Sequence, residues 1–505
     1  MDASVLNQYI ESALQLQQAG KIEDAMQLFR QILSKYPQQA DALHGLGLCY
    51  VQIRDLSHAI EYLKQAVIEA PHVPAFHNNL ANAYKLTGQL DFAKMHYLEA
   101  LRLKSPYSEA HNNLGSIYYL QGQYKEAVAQ FEKALRINPD SWDAHFNLAL
   151  CLIKQDFFLE AKPHLEMVLK FRPDHIGAIN NLGIIYCLLK QFDKAKPLLE
   201  QVMVREPQNT EALFHLALAN ASTGALETAK LNYQYLLQLN EHHDRAHHNL
   251  ATLYLHLDDK TNALKHYEQA SELNPNNQAA LHMVKALKGE TLKEGAPLEY
   301  TRALFDQYAY TYNKHVKEKL HYQVPHQLRE LIRPFGENKT TPWQVLDLGC
   351  GTGLCAPYFI DISDKLYGVD LSPNMVDEAG KLGAYYKLAV DDINHFLKKT
   401  KQTFDLIIAA DVFGYFGELE TTFTACYHVL NPNGYFLFSI ETLLSAELEI
   451  AYQLSQTGRY RHHPAYINEI ATTTGFTVCV KKTTTLRQQE GENVEGELYL
   501  LQKLS

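Results

Sequence analysis

The sequence predicts two architectures in one chain. Residues 8–288 read as an all-α superhelix of stacked helix pairs, and residues 299–505 as an α/β domain whose mostly parallel sheet ends in an antiparallel β hairpin, with a linker at 289–298. Three observations predict this. A sequence pattern returns every 34 residues through the first half. Strand-like and helical runs alternate through the second, the texture of a parallel sheet with helices on both faces. Between them lies a short polar stretch holding Gly and Pro.

Composition bounds the function classes. The chain has 505 residues, 46% hydrophobic and 20% charged, an ordinary globular balance. No run approaches the roughly 18 consecutive apolar residues of a membrane-spanning helix, and the first residues, MDASVLNQYIESALQ, lack the pattern of a secretory signal. The net charge of −11 is the wrong sign for a nucleic-acid platform. Seven cysteines without a CxxC pair suit reduced thiols in the cytoplasm better than disulfides or zinc.

Leu recurs at 46, 80, 114, 148, 182, 216 and 250, each followed by Gly or Ala, and Ala recurs at 59, 93, 127, 161, 195, 229 and 263. Leu114, Gly115 and Tyr118 mark one face of a first helix; Ala127, Phe131 and Ala134 mark a second, after a turn at Gly122-Gln123. The small residues permit close approach of the two helices, and Pro139 stops the second. About eight such units and a short capping helix result. A single unit cannot bury its own apolar face, so the units must stack. The pattern resembles the tetratricopeptide repeat family, which implies a concave groove used for protein or peptide binding.

Asn precedes the repeat Leu at 79, 113, 147, 181 and 249. Similar asparagines in the array of O-linked N-acetylglucosamine transferase form a ladder that holds extended peptide, since an amide both donates and accepts. By that resemblance Asn79, Asn113, Asn147, Asn181 and Asn249 are candidate peptide-binding residues; the alternative is helix packing. Histidines at 77, 111, 145 and 247 share another repeat position. Equivalent residues on neighbouring layers lie about 10 Å apart, too far for a shared metal, so they read as inter-helix surface.

From Glu299 the texture changes. Two helices divided near Pro325 precede strand-like runs QVLDLG, KLYGVD, YYKLAV, DLIIAA, YFLFSI, FTVCVKK and LYLLQK; the last two lack a helical crossover and form the hairpin. The motif that carries chemistry is Val345 to Gly353, VLDLGCGTG: an apolar strand runs into a glycine-rich turn where backbone can approach a ligand without a Cβ clash. Leu354 breaks a dinucleotide GxGxxG, and GK[ST] is absent. The next strand ends at Asp370, a carboxylate suited to a ribose diol, and the third is followed by Asp391-Asp392-Ile393.

This order resembles the class I S-adenosylmethionine-dependent methyltransferases, a Rossmann-like fold. The resemblance implies that Gly349, Gly351 and Gly353 lie against the methionine part of S-adenosylmethionine, with Asp347 near its amino group. Asp370 then holds the ribose, Leu371 and Met375 flank the adenine, and Asp391, Asp392 and Ile393 face its edge. Tyr308 and Tyr312 are candidates for a lid. The segments ALFDQYAYTYNKHVKEKLHYQVP, FDLIIAADVFGYFGELE, LNPNGYFLFSIE and GRYRHHPAYINEIATTTGF look like predicted methyltransferases that carry tetratricopeptide repeats. After the fourth strand, Ala410-Asp411-Val412-Phe413 replaces the [DN]PP[YF] of base amino-methyltransferases, which argues against nucleic acid. Methyl transfer mainly needs alignment, with proton removal where the nucleophile requires it. Candidates for that task are Asp411, Tyr415, Glu441, Tyr460, His462 and His463. The implied activity is methyl transfer, with a protein partner or substrate held by the array; a small-molecule acceptor, or a scaffold without turnover, are the alternatives.

Overall fold

The computed structural model describes residues 3–293, 295–306, 309, 322–336, 341–444, 450–489 and 492–504. Helix pairs repeat with nearly constant lengths, as in Pro74–Leu86 with Leu90–Leu103 and Ser108–Leu120 with Tyr124–Ile137. The turn inside each pair needs a left-handed residue. Gly88 and Gly122 supply it at φ +74° and +73°; Arg54, Asp156, Lys190 and Asp258 take φ of +63°, +61°, +56° and +56° in other units. The small residue after each repeat Leu has a steric cause. A Cβ on Gly115 would lie 2.7 Å from the Phe131 ring, and one on Gly47 2.7 Å from Leu63. Ala127, Phe131 and Ala134 are buried as the repeat pattern predicts.

The chain divides into two compact units, Met1–Asn232 and Tyr233–Ser505. The second contains Asp244–His256, Lys260–Leu273 and Gln278–Lys288, the last helices of the array, as well as the sheet domain.

That domain is built on β1 Trp343–Leu348, β2 Ser363–Asp370, β3 Lys387–Val390, β4 Phe404–Ala409 and β5 Leu430–Glu441. A small hairpin follows, β6 Tyr452–Leu454 with β7 Tyr460–His462, and then β8 Phe476–Gln489 and β9 Glu492–Lys503. The large sheet has the order β3-β2-β1-β4-β5-β9-β8. β1 to β5 pair in parallel, and β9 is antiparallel to both β5 and β8. The sequence places the terminal hairpin correctly but reads residues 483–497 as a loop; β8 and β9 pair through most of it, with Thr485 opposite Glu495 and Arg487 opposite Val494. Two apolar layers flank the sheet, one around Phe413, Phe423, Phe436 and Phe438, the other around Leu328, Phe359, Leu406 and Leu500. Among the described residues no helix is long and apolar enough to cross a membrane.

The glycine contacts give a direct test of the array. Gly115→Ala forces a methyl into the Phe131 ring and should cost about 1–3 kcal/mol by overpacking. Urea unfolding of the full chain checks this, and an unchanged first transition would contradict the close approach.

Candidate active site

The strand order reverses beside β1: β2 and β3 lie on one side, β4 and β5 on the other. Such a reversal opens a crevice at the carboxyl ends of the strands, where open α/β sheets take ligands. The Gly349–Gly353 loop leaves β1 at this place. Its three glycines have φ of +62°, +52° and +85°, a conformation L side chains rarely adopt. Gly349 and Gly353 are also sterically closed, since a Cβ would meet Val412 at 2.8 Å and Leu382 at 2.6 Å respectively, whereas one on Gly351 meets nothing within 4 Å.

Asp370, at the end of β2, ties this loop down. Its Oδ2 accepts from the Gly351 amide at 2.8 Å and its Oδ1 from the Ser372 amide at 2.9 Å. Burial pushes its carboxyl up, against those amides. Asp347 is 1% exposed on β1 and accepts from the Tyr385 hydroxyl at 2.7 Å. Burial raises it to about 7, with Asp370 adding repulsion. Leu371 and Met375 continue from β2, Met375 fully buried with its amide on Ser372 Oγ at 3.1 Å. The helical stretch 298–306 reaches the same turn: Ser372 Oγ donates to Asp306 Oδ1 at 2.5 Å, and Arg302 Nε to the Leu371 carbonyl at 3.3 Å. Asp391 faces His395 Nδ1 at 2.7 Å; Asp392 caps the helix Ile393–Lys399 by accepting from the His395 amide at 2.9 Å, and Ile393 is buried. Tyr308 and Tyr312 lie outside the described residues.

The acid–base candidates meet a different fate. Asp411 and Glu441, at the ends of β4 and β5, are held by two arginines that the sequence reading overlooks. Arg459 donates to Asp411 at 2.6 Å and to Glu441 at 2.5 Å; Arg487 donates to Asp411 at 3.2 Å and to Glu441 at 2.7 Å. Burial pushes the Glu441 carboxyl up, but the two guanidinia outweigh it and hold it at about 2. A carboxylate so held is a poor base near neutral pH. Tyr415 lies under the Arg459 guanidinium, 4.7 Å from ring centre. His462 is buried with Nε2 on the Gly417 carbonyl at 2.9 Å, and burial lowers it to about 4. His463 caps the helix Pro464–Thr474, accepting from the Ala465 amide at 3.1 Å, and Tyr460 is fully buried.

In the array, the five asparagines spend donors within the chain. Asn113 Nδ2 donates to Asn78 Oδ1 at 3.2 Å and Asn147 Nδ2 to Asn112 Oδ1 at 3.0 Å, each crossing to the preceding unit. Asn181 returns to the Gly177 carbonyl at 2.7 Å, Asn249 donates to the Tyr233 hydroxyl at 3.0 Å, and Asn79 faces His44 Nε2 at 2.9 Å. His77, His111, His145 and His247 each turn Nδ1 to the residue nineteen positions on: His96, Gln130, His164 and His266.

Comparison with known proteins agrees with this architecture. A model described as a methyltransferase domain matches residues 320–480, and tetratricopeptide repeat models match 11–74, 74–107, 115–156, 189–231 and 245–277. The chain therefore carries tetratricopeptide repeats followed by a methyltransferase domain. Over 122 residues it is 30% identical to the mitochondrial ubiquinone biosynthesis O-methyltransferase of Bos taurus, covering 22% of this chain and 32% of that one. Over 125 residues it is 28% identical to the malonyl-(acyl-carrier protein) O-methyltransferase of Serratia marcescens, covering 25% and 48%. The chain thus spans about a third to a half of these relatives' length. A solved structure of Pseudomonas aeruginosa PilF matches 41% of this chain and 95% of its own, at 21% identity and a TM-score of 0.40.

The charge cluster predicts its own energetics. Glu441→Ala leaves two buried guanidinia sharing Asp411 and should destabilise the second unit by about 3–5 kcal/mol, whereas His463→Ala loses one cap and should cost about 1 kcal/mol. Because the folded Glu441 carboxyl sits near 2 against an ordinary value of 4.5, its contribution is present above about pH 4.5 and is lost as pH falls toward 2. Urea unfolding at pH 7, 4.5 and 3 reads both effects; a Glu441→Ala chain as stable as wild type at pH 7 would contradict the assignment.

Proposed function

We propose that this chain is an S-adenosylmethionine-dependent methyltransferase whose repeat array recruits a protein partner or substrate. The observation that carries the reading is the glycine loop closed on Asp370 at the strand-order reversal. The residues fit the cofactor: the loop has open space at Gly351, and Asp347 is a buried acid held by the Tyr385 hydroxyl, with no cation in reach among the described residues. Gly349, Gly351 and Gly353 would cradle the amino-acid part, Asp347 would face its ammonium, and Asp370, Leu371 and Met375 would hold ribose and adenine, with Asp391, Asp392 and Ile393 at the adenine edge. When bound, the cofactor supplies an activated methyl group on a sulfonium. The chain's part is to orient the acceptor and exclude water; with Glu441 held ionised and His462 buried, no general base is assigned.

Recruitment by the array is supported by a hollow of about 220 Å³ within the first unit, lined by Lys85, Ser116, Tyr119, Leu120, Asn147 and Leu150. Its apolar walls and single amine suit an anchoring side chain beside an acidic group. The test incubates the full chain with labelled S-adenosylmethionine and a cell lysate, then separates protein from small molecules. Label is expected in protein. Ser116→Trp should fill the hollow and lower that labelling at limiting lysate, with cofactor affinity unchanged. Label confined to small molecules would overturn recruitment of a substrate protein, and no label with wild type would overturn the activity.

Cofactor binding should be proton-linked. Asp347 is about half protonated near pH 7 in the free chain, and a cation beside it favours the ionised form. Affinity should therefore rise as pH approaches 7, level off above it, and release a proton below it. Asp347→Asn should remove the linkage, while Asp370→Ala should weaken binding by about 1.5–3 kcal/mol with the linkage kept. Calorimetry in buffers of different ionisation enthalpy at pH 6 measures this; wild-type binding without proton exchange would contradict the placement of the cation.

A further inference from the structure

The acidic pair at the ends of β4 and β5 is connected to the repeat array by a short series of contacts. His282, on the last array helix Gln278–Lys288, is 1% exposed and donates from Nε2 to the Gly458 carbonyl at 2.9 Å. Gly458, at φ +80°, lies so close to this helix that a Cβ would sit 3.0 Å from Met283 Sδ and 3.1 Å from the Tyr300 hydroxyl. The turn it occupies is closed by Gly458 N on the Ser455 carbonyl at 2.9 Å and Ser455 N on the Arg459 carbonyl at 2.8 Å. The next residue, Arg459, reaches Asp411 and Glu441 and covers Tyr415. Its guanidinium fills the space a Cβ on Gly414 would need.

A second strand of contacts runs beside the first. Leu454 N donates to Thr291 Oγ1 at 3.2 Å, Ala296 N to the Tyr415 carbonyl at 2.9 Å, and Glu418 N to the Lys293 carbonyl at 3.0 Å. Ala286 of the array helix, Ala296, Leu454 and Tyr460 form one buried cluster. The stretch after the array is therefore fastened along the loop that follows β4, and the array ends inside the second unit.

We propose that His282, on the last helix of the repeat array, is a positioning residue for the carboxyl ends of β4 and β5: it fixes the turn at Gly458, and through Arg459 that turn fixes Asp411 and Glu441. The side of the crevice lined by β4 and β5 is then set by the array, while the glycine loop and Asp370 are held chiefly by the turns that leave β1 and β2. The inference rests on the proposed methyl transfer only for its catalytic consequence, a change in acceptor turnover without a change in cofactor affinity.

The test is hydrogen exchange on the full chain. His282→Ala should speed exchange about ten-fold in residues 455–460 and also in 411–418, which His282 does not bond. His282→Gln keeps a side-chain N–H and should restore most of the protection. Arg459→Met should loosen 411–418 but leave 278–288 protected, and the double variant should add little to the larger single effect in 411–418. Dissociation constants for S-adenosylmethionine should change less than about five-fold in every variant, because the bonds that close the glycine loop on Asp370 are kept. Loosening confined to 455–460, or additive effects in 411–418, would overturn the proposal. The exchange arms decide it even if the wild-type chain transfers no methyl group, so failure of the activity and failure of the positioning role are read separately.

Discussion

Asp370 sits where the strand order turns back on itself, and both of its oxygens are committed to the backbone of the turns on either side. Two turns depend directly on that carboxylate, and a third segment is fastened to one of them. The Gly349–Gly353 loop needs it because left-handed glycines carry no side-chain contacts of their own. The Ser372 turn needs it to start the helix Pro373–Gly380, and the stretch 298–306 is anchored to the same turn through Asp306. Two acids, Asp347 and Asp370, are thereby buried within one crevice whose described contacts are amides and hydroxyls. Uncompensated burial of that kind is costly, and a cationic ligand relieves it.

The other side of the crevice is governed by the opposite arrangement. Asp411 and Glu441 are fully compensated by Arg459 and Arg487. A cluster of two anions and two cations is neutral, rigid and dependent on every member. One edge thus holds two buried acids bonded to amides and a hydroxyl, and the other holds a balanced cluster of charges. The array contributes to the second edge through its last helix, so its final units act as part of the domain's framework.

Much of this was legible in the sequence, for identifiable reasons. The 34-residue step reports a steric requirement at Gly115 and Phe131 that each unit must meet again. The glycine loop and Asp370 lie nineteen residues apart within one strand-turn-helix-strand unit, so local pattern suffices. What escaped was non-local. Arg459 and Arg487 are 48 and 76 residues from Asp411, and no periodicity ties them together. Strands of three residues, Tyr452–Leu454 and Tyr460–His462, are too short to alternate visibly. The polar composition around Gly295 reads as a linker, yet that glycine has φ +93° and a Cβ there would meet the Tyr415 carbonyl at 2.8 Å, so it marks close packing. The asparagine position was visible, but its bonds within the chain were not, since an amide that bonds its own fold and one that bonds a peptide look alike in sequence.

The most direct test of the central claim is photo-crosslinking of labelled S-adenosylmethionine to the full chain, with the attachment site mapped by peptide mass spectrometry. Label is expected on peptides that carry the Gly349–Gly353 loop or Leu371 to Met375, and should be lost with excess unlabelled cofactor. Label that is not competed away, or that falls on the array, would contradict it.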